Sequence, residues 1–192
     1  MRQFSYTGRM TQAFHSHRLD LSAFARAGGE LSGSEALGEH RRLMVETAGE
    51  GADRPLQWKA RGEWRQPAGA TGQVWLHLQA QVTLPLVCQR CMGPTDWPVQ
   101  VDRSFRFVEG EDAAAAEDEE AEEDVLALSP VFDLVELIED EIVMELPLVP
   151  RHETCPEPVR MAAVDPDFDP QLAAKDPHPF AALAGLKTGK PD

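Results

Sequence analysis

Residues 73–108 read QVWLHLQAQVTLPLVCQRCMGPTDWPVQVDRSFRFV, and their alternation decides the fold class. Val74, Leu76, Leu78, Ala80, Val82, Leu84 and Leu86 fall on one side of an extended chain, with Gln73, Trp75, His77, Gln79, Gln81 and Thr83 on the other. The second run repeats the pattern, setting Trp97, Val99, Val101, Phe105 and Phe107 against Gln100, Asp102, Ser104 and Arg106. Successive side chains of a strand point to opposite faces, so a period of two over such lengths predicts two long strands. Met92-Gly93-Pro94-Thr95-Asp96 supplies turn residues between them. The expectation is a long antiparallel hairpin with the knuckle Cys88-Gln89-Arg90-Cys91 at its tip.

Upstream, Leu56, Trp58, Ala60, Gly62 and Trp64 alternate with Gln57, Lys59, Arg61 and Glu63, which adds a third strand to the same antiparallel sheet. A short helix is expected around Leu19–Ala27, capped by Asp20 or Ser22 and stopped by Gly28-Gly29. GELSGSEAL (29–37) reads as a weak strand, and Glu39–Val45 suits a helical turn or a strand equally. Asp133 opens the strongest helix: Glu136 follows at capping-box spacing, and Leu134, Val135, Ile138, Ile142 and Leu146 form an apolar stripe. Glu136, Glu139 and Asp140 lie outward, while Glu141 and Glu145 lie beside the stripe; they are the natural partners of Arg103 on the hairpin's inward row, the alternative being a sheet edge where its stem snorkels to water. Pro147 and Pro150 end the helix.

The net charge of −15 is segregated. Residues 1–108 carry +3, residues 109–155 carry −16 and residues 156–192 carry −2. EGEDAAAAEDEEAEED (109–124) has too little apolar content to offset ordering entropy, so a disordered loop is expected there. The fold class that follows is α+β, a mainly antiparallel twisted sheet, open or partly closed into a barrel. An amphipathic helix from the C-terminal half covers it. Residues 1–155 form one domain in this reading, with a disordered acidic insertion at 109–128. Residues 156–192 form an extended Pro/Asp-rich tail ending in a short docking helix.

Three cysteines, two of them in a CxxC, suit a reducing compartment. No apolar run approaches the ~20 residues of a membrane helix, and Met1–Asp20 has no continuous apolar stretch of the signal-peptide kind. A cytoplasmic protein without membrane contact is expected.

Candidate sites are few. GxSxG, P-loop and HExxH motifs are missing from the sequence, and the CxxC is followed by Gly-Pro and a strand. A dithiol catalyst instead places its first cysteine at a helix N-terminus. No enzyme is expected. Cys88, Cys91, His152 and Cys155 supply three thiols and an imidazole from a hairpin tip and from the chain just after the helix, an ordinary tetrahedral ligand set for structural zinc. Lys59, Arg61, Arg90, Arg103 and Arg106 are the candidate contacts to nucleic acid in the β-rich part, although the overall acidity opposes a polyphosphate partner.

LxCQRC (86–91), DLVELIEDEIVMELPLVPRHETC (133–155) and PHPFAALAGLK (177–187) together resemble the YceD family, named for large ribosomal RNA subunit accumulation. The resemblance covers most of the chain from about residue 55. It implies a non-enzymatic factor supporting synthesis, processing or stability of 23S ribosomal RNA during assembly of the large subunit. Two modes fit that role. Protein contacts would engage the pre-ribosomal large subunit or a basic ribosomal protein through the acidic segment. The alternative is a module that binds ribosomal RNA directly through its basic β-rich part.

Overall fold

The structure, a computed structural model, describes residues 14–66, 69 and 71–157. Described residues up to Cys155 form one unit. The expected tail and docking helix lie outside the described residues, apart from Pro156 and Glu157.

The sheet has five strands in the order β1-β2-β3-β4-β5: Glu30–Ala36, Pro55–Arg65, Gln73–Val87, Pro94–Val108 and Asp124–Ala127. The first four pair antiparallel, and β5 runs parallel to the end of β4. The predicted hairpin is present in one unbroken register, from Val74 opposite Phe107 to Val87 opposite Pro94. The sheet is open, not closed into a barrel. Its edge strands are short, and helices rather than further strands cover its apolar face, so nothing drives β1 towards β5.

α1 (Leu21–Arg26) is capped by Asp20, whose carboxylate accepts the Ala23 N–H at 2.9 Å. It stops at Gly28, which takes φ +59. Its seat on the sheet is Gly62: a Cβ there would lie 2.9 Å from the Ala25 backbone and 2.7 Å from the Phe24 ring. The undecided segment after β1 is helical, as one 3-10 turn (Leu37–Glu39) and α2 (Arg41–Glu46).

α4 (Leu134–Met144) is the helix expected from its stripe, and Asp133 caps it by accepting from Val135 and Glu136 N–H. Leu134, Ile138 and Ile142 are fully buried in one core with Leu19, Phe24, Leu43, Leu56, Leu76, Leu78, Leu84 and Phe105. Leu146 packs at its margin, and Val135 is half-buried. Glu139 is not a solvated outward acid. Its carboxylate accepts the backbone N–H groups of Arg42 (2.7 Å) and Leu43 (3.3 Å), capping α2 from another element. Arg42 completes the clasp with ion pairs to Glu139 and Asp140.

Arg103, on the inward row, meets Glu145 at 2.9 Å, with Glu141 and Asp124 each at 3.6 Å. Its side chain remains 43% exposed, so the guanidinium is both paired and open to water at the sheet margin. Burial pushes the Glu141 carboxyl up, and Arg103 pulls it back without reversing the shift.

The acidic segment is ordered, contrary to the disordered loop expected at 109–128. Glu111–Asp118 forms α3, and Asp124–Ala127 adds β5 to the sheet. Four consecutive alanines favour the helix, and Ala114 and Val125 are buried. Arg106 neutralises two of the acids, bonding Glu117 and, at 2.7 Å, Glu123. The Asp118 carboxylate then accepts the Val125 N–H at 2.8 Å. One buried cation thus offsets part of the self-repulsion that the composition suggests.

Because Ile138 is fully enclosed, Ile138→Ala should destabilise the protein by about 2–5 kcal/mol in chemical denaturation. A change near zero would mean that α4 does not face the sheet.

Candidate metal centre

Continuous pairing of β3 and β4 forces the reversal into residues 88–93. The Cys88 N–H donates to Gly93 O (2.9 Å) and the Met92 N–H to Cys88 O (2.8 Å), closing a tight loop. Met92 takes φ +61, uncommon away from glycine, and its side chain stands 70% exposed. Cys88 points inward and is fully buried, while Cys91 is half-buried.

After α4 the prolines end the helix and send the chain across this tip, where the Gln89 N–H donates to Pro150 O at 2.8 Å. The His152 Nε2–H donates to Pro94 O at 3.0 Å. That bond turns the ring's other nitrogen, Nδ1, towards Cys91 Sγ at 3.4 Å. Cys155 Sγ lies 4.0 Å from Cys88 Sγ. The four candidate ligand atoms all fall within 4.8 Å of one another, and the three cysteines are free. In a tetrahedral zinc site, bonds of ~2.3 Å to sulfur and ~2.0–2.1 Å to nitrogen place sulfurs ~3.8 Å apart and sulfur and nitrogen ~3.6 Å apart. The cluster is therefore close to the size that a single tetrahedral ion demands, and its four side chains can hold a metal.

Electrostatics favour the thiolate at Cys88. Burial pushes its thiol up, but backbone hydrogen bonds from Cys91, His152 and Arg90 outweigh it and bring it to about 5. Cys91 has a Gly93 backbone hydrogen bond pulling it down, yet burial and the neighbouring Cys155 and Cys88 sulfurs leave it raised. Arg90 is exposed, but its guanidinium is already engaged at the cluster. Its Nε donates to Cys155 Sγ at 3.1 Å, and its terminal nitrogen donates to the carbonyls of His152 (2.8 Å) and Glu153 (3.2 Å).

The other candidate cations do not converge with Arg90. Lys59 and Arg61 flank a shallow cleft with His77, Gln79 and Asp102 on the open face of the sheet. Lys59 lies 3.5 Å from Glu30, and Arg61 lies 3.7 Å from Glu63. Arg103 belongs to the opposite row, and Arg106 is buried against Glu117 and Glu123. Each of these four strand cations has a carboxylate within 4 Å. Sequence reading missed the roles of Arg90 and Glu139. The signals available were an arginine inside the CxxC itself and an acid one residue after the fully buried Ile138.

Glu63 gathers this open face. Arg65, at 2.9 Å, and His77, at 2.7 Å, hold its carboxylate. The hydrogen bond from Arg65, then that from His77, draws it from 4.5 to about 2. A carboxylate depressed in the folded state stabilises it above the unfolded value, and the contribution fades as pH falls through the folded value. Glu63→Gln should therefore be less stable than the parent at neutral pH, with the gap closing as pH drops from 4.5 towards 2. A gap independent of pH in denaturant titrations would contradict this assignment.

Residues 76–187 match the family described as large ribosomal RNA subunit accumulation protein YceD. Over 111 residues the chain is 33% identical to the large ribosomal RNA subunit accumulation protein YceD of Haemophilus influenzae, covering 57% of this chain and 63% of that one. It thus spans a little under two-thirds of that relative's length. No solved structure is significantly similar to the chain. The matched span holds most of β3, all of β4, the acidic segment, α4 and the four cluster residues. With more than half its length so matched, this chain belongs to the YceD family.

Proposed function

We propose that this protein is a non-enzymatic cytoplasmic factor that supports synthesis, processing or stability of 23S ribosomal RNA during large-subunit biogenesis, and that it works through protein contacts. The process follows from the name borne by its relative. The mode rests on one observation above all: the strand cations are already matched by carboxylates, whereas α3 and the turn after it leave Glu111, Asp112, Glu119, Glu120 and Glu122 exposed. Such a surface suits a basic ribosomal protein, alone or on the pre-ribosomal large subunit, better than a phosphate backbone. Exposed Met92, Leu148 and Val149 offer apolar contacts around the hairpin tip. The cysteine–histidine cluster serves this role as a structural zinc site bracing that tip.

Direct RNA binding is the second reading, favoured by Lys59 and Arg61, both about half exposed beside one cleft. Affinity capture of the full chain from cells separates the two modes. A basic ribosomal protein or large-subunit precursor should co-purify, survive nuclease treatment and be lost when Glu119, Glu120 and Glu122 are replaced by lysine. A purified chain that shifts a 23S fragment, with affinity falling steeply as salt rises, would overturn the protein-contact mode.

A further inference from the structure

The tip cluster deepens the proposed function, on which it rests, by giving that role a chemistry. We infer that Cys88, Cys91, His152 and Cys155 form a closed zinc centre, and that Arg90 is its charge-compensating positioning residue. Each part of that assignment rests on geometry. Four protein side chains converge with ligand atoms inside 4.8 Å, which fills a tetrahedron and leaves no position for substrate or water. Three sulfurs with one imidazole favour a soft or borderline ion over magnesium or calcium. The ring of His152 is already held by its Nε2–H on Pro94 O, the outer-shell arrangement that fixes a ligating histidine and frees the other nitrogen for the metal.

Arg90 supplies what those ligands lack. A zinc ion with three thiolates and a neutral imidazole carries a net charge of −1, and that charge sits at the half-buried junction of the tip and the post-helix chain. The Arg90 guanidinium cancels it through Nε on Cys155 Sγ, the sulfur supplied by the far side of the junction. Its second arm grips the His152 and Glu153 carbonyls, fixing the HxxC turn in the ligating conformation. One residue of the CxxC thereby positions both ligands of the other pair. The ligand pairs lie more than 60 residues apart in sequence, so the ion would cross-link two loops that the Gln89–Pro150, Arg90–His152 and His152–Pro94 hydrogen bonds already bring together. That role is structural, and it belongs to the side of the molecule where Met92, Leu148 and Val149 are exposed.

The test uses the full-length chain, untagged and purified without chelators. Elemental analysis should find about one zinc per chain, as a closed four-ligand site requires. Less than about a tenth of an equivalent, or stoichiometric iron or copper in its place, would overturn the zinc assignment. Substitution with Co2+ needs no variant: a tetrahedral thiolate site gives strong visible ligand-field bands and thiolate-to-cobalt charge transfer in the near ultraviolet. A weak six-coordinate spectrum would overturn the ligand set. Arg90→Gln, with an unchanged far-ultraviolet circular dichroism spectrum, should bind zinc about 10–100-fold more weakly in chelator competition. Parental affinity would remove Arg90 from the centre. If Arg90→Gln does not fold, Arg90→Lys carries the comparison, since it keeps the charge but loses the forked grip; parental affinity there leaves charge alone as the contribution and overturns the positioning role. Zinc is read on the isolated chain, so an empty site sinks this inference while affinity capture still judges the protein-contact mode.

Discussion

The uninterrupted register of β3 on β4 is the constraint from which the remaining structure follows. Fourteen residue pairs from Val74–Phe107 to Val87–Pro94 leave no bulge at which either strand could turn its apolar row outward. A one-residue slip would send Leu76, Leu78, Leu84 and Phe105 to the solvent face, so burial of that row holds the register as firmly as the ladder does. The same register fixes where the reversal occurs, and with it the placement of Cys88 and Cys91. α4 then closes over the apolar row, and its proline-terminated end delivers His152 and Cys155 to the tip. A hydrophobic pattern thereby positions a polar site.

Charge is managed within the same frame. The chain holds most of its acid between residues 109 and 155 and most of its base before them. Folding brings the halves together at three clasps: Arg42 with Glu139 and Asp140, Arg103 with Glu141 and Glu145, and Arg106 with Glu117 and Glu123. Exposed pairs of this kind contribute modestly each. Arg106, with its side chain only 11% exposed, is the exception, because an unpaired guanidinium there would be costly. The acids Glu111, Asp112, Glu119, Glu120 and Glu122 of the α3 surface take part in none of these clasps. Among the described residues, the α3 surface therefore presents acids outward, while the strand cations Lys59, Arg61, Arg103 and Arg106 are each matched by a carboxylate.

Much of this was legible in the sequence because it is local or periodic. Alternation revealed β2, β3 and β4, Asp133 and Asp20 announced their helices, and the stripe from Leu134 to Ile142 pointed α4 at the sheet. Convergence of the four cluster residues could be anticipated from two short ligand pairs and a helix that returns the chain across the hairpin. What stayed hidden depends on single long-range contacts that leave no period. Order in the acidic segment hangs on Arg106 reaching Glu117 and Glu123, a cation placed between two buried phenylalanines. The helical state of residues 41–46 is supported by Glu139, a cap contributed by another helix. Arg90 is an exposed base whose bonds to Cys155 and the 152–153 carbonyls exist only in the fold.

If the hairpin tip is pinned by the chain that follows α4, its amides should report it. Native-state hydrogen exchange of the full chain, measured with and without a strong chelator, tests this most directly. The amides of Cys88, Gln89 and Met92, which donate to Gly93, Pro150 and Cys88, should be protected as purified. Chelation should expose them while the central β3 and β4 amides keep their protection. Tip amides that exchange equally fast in both conditions would contradict the account.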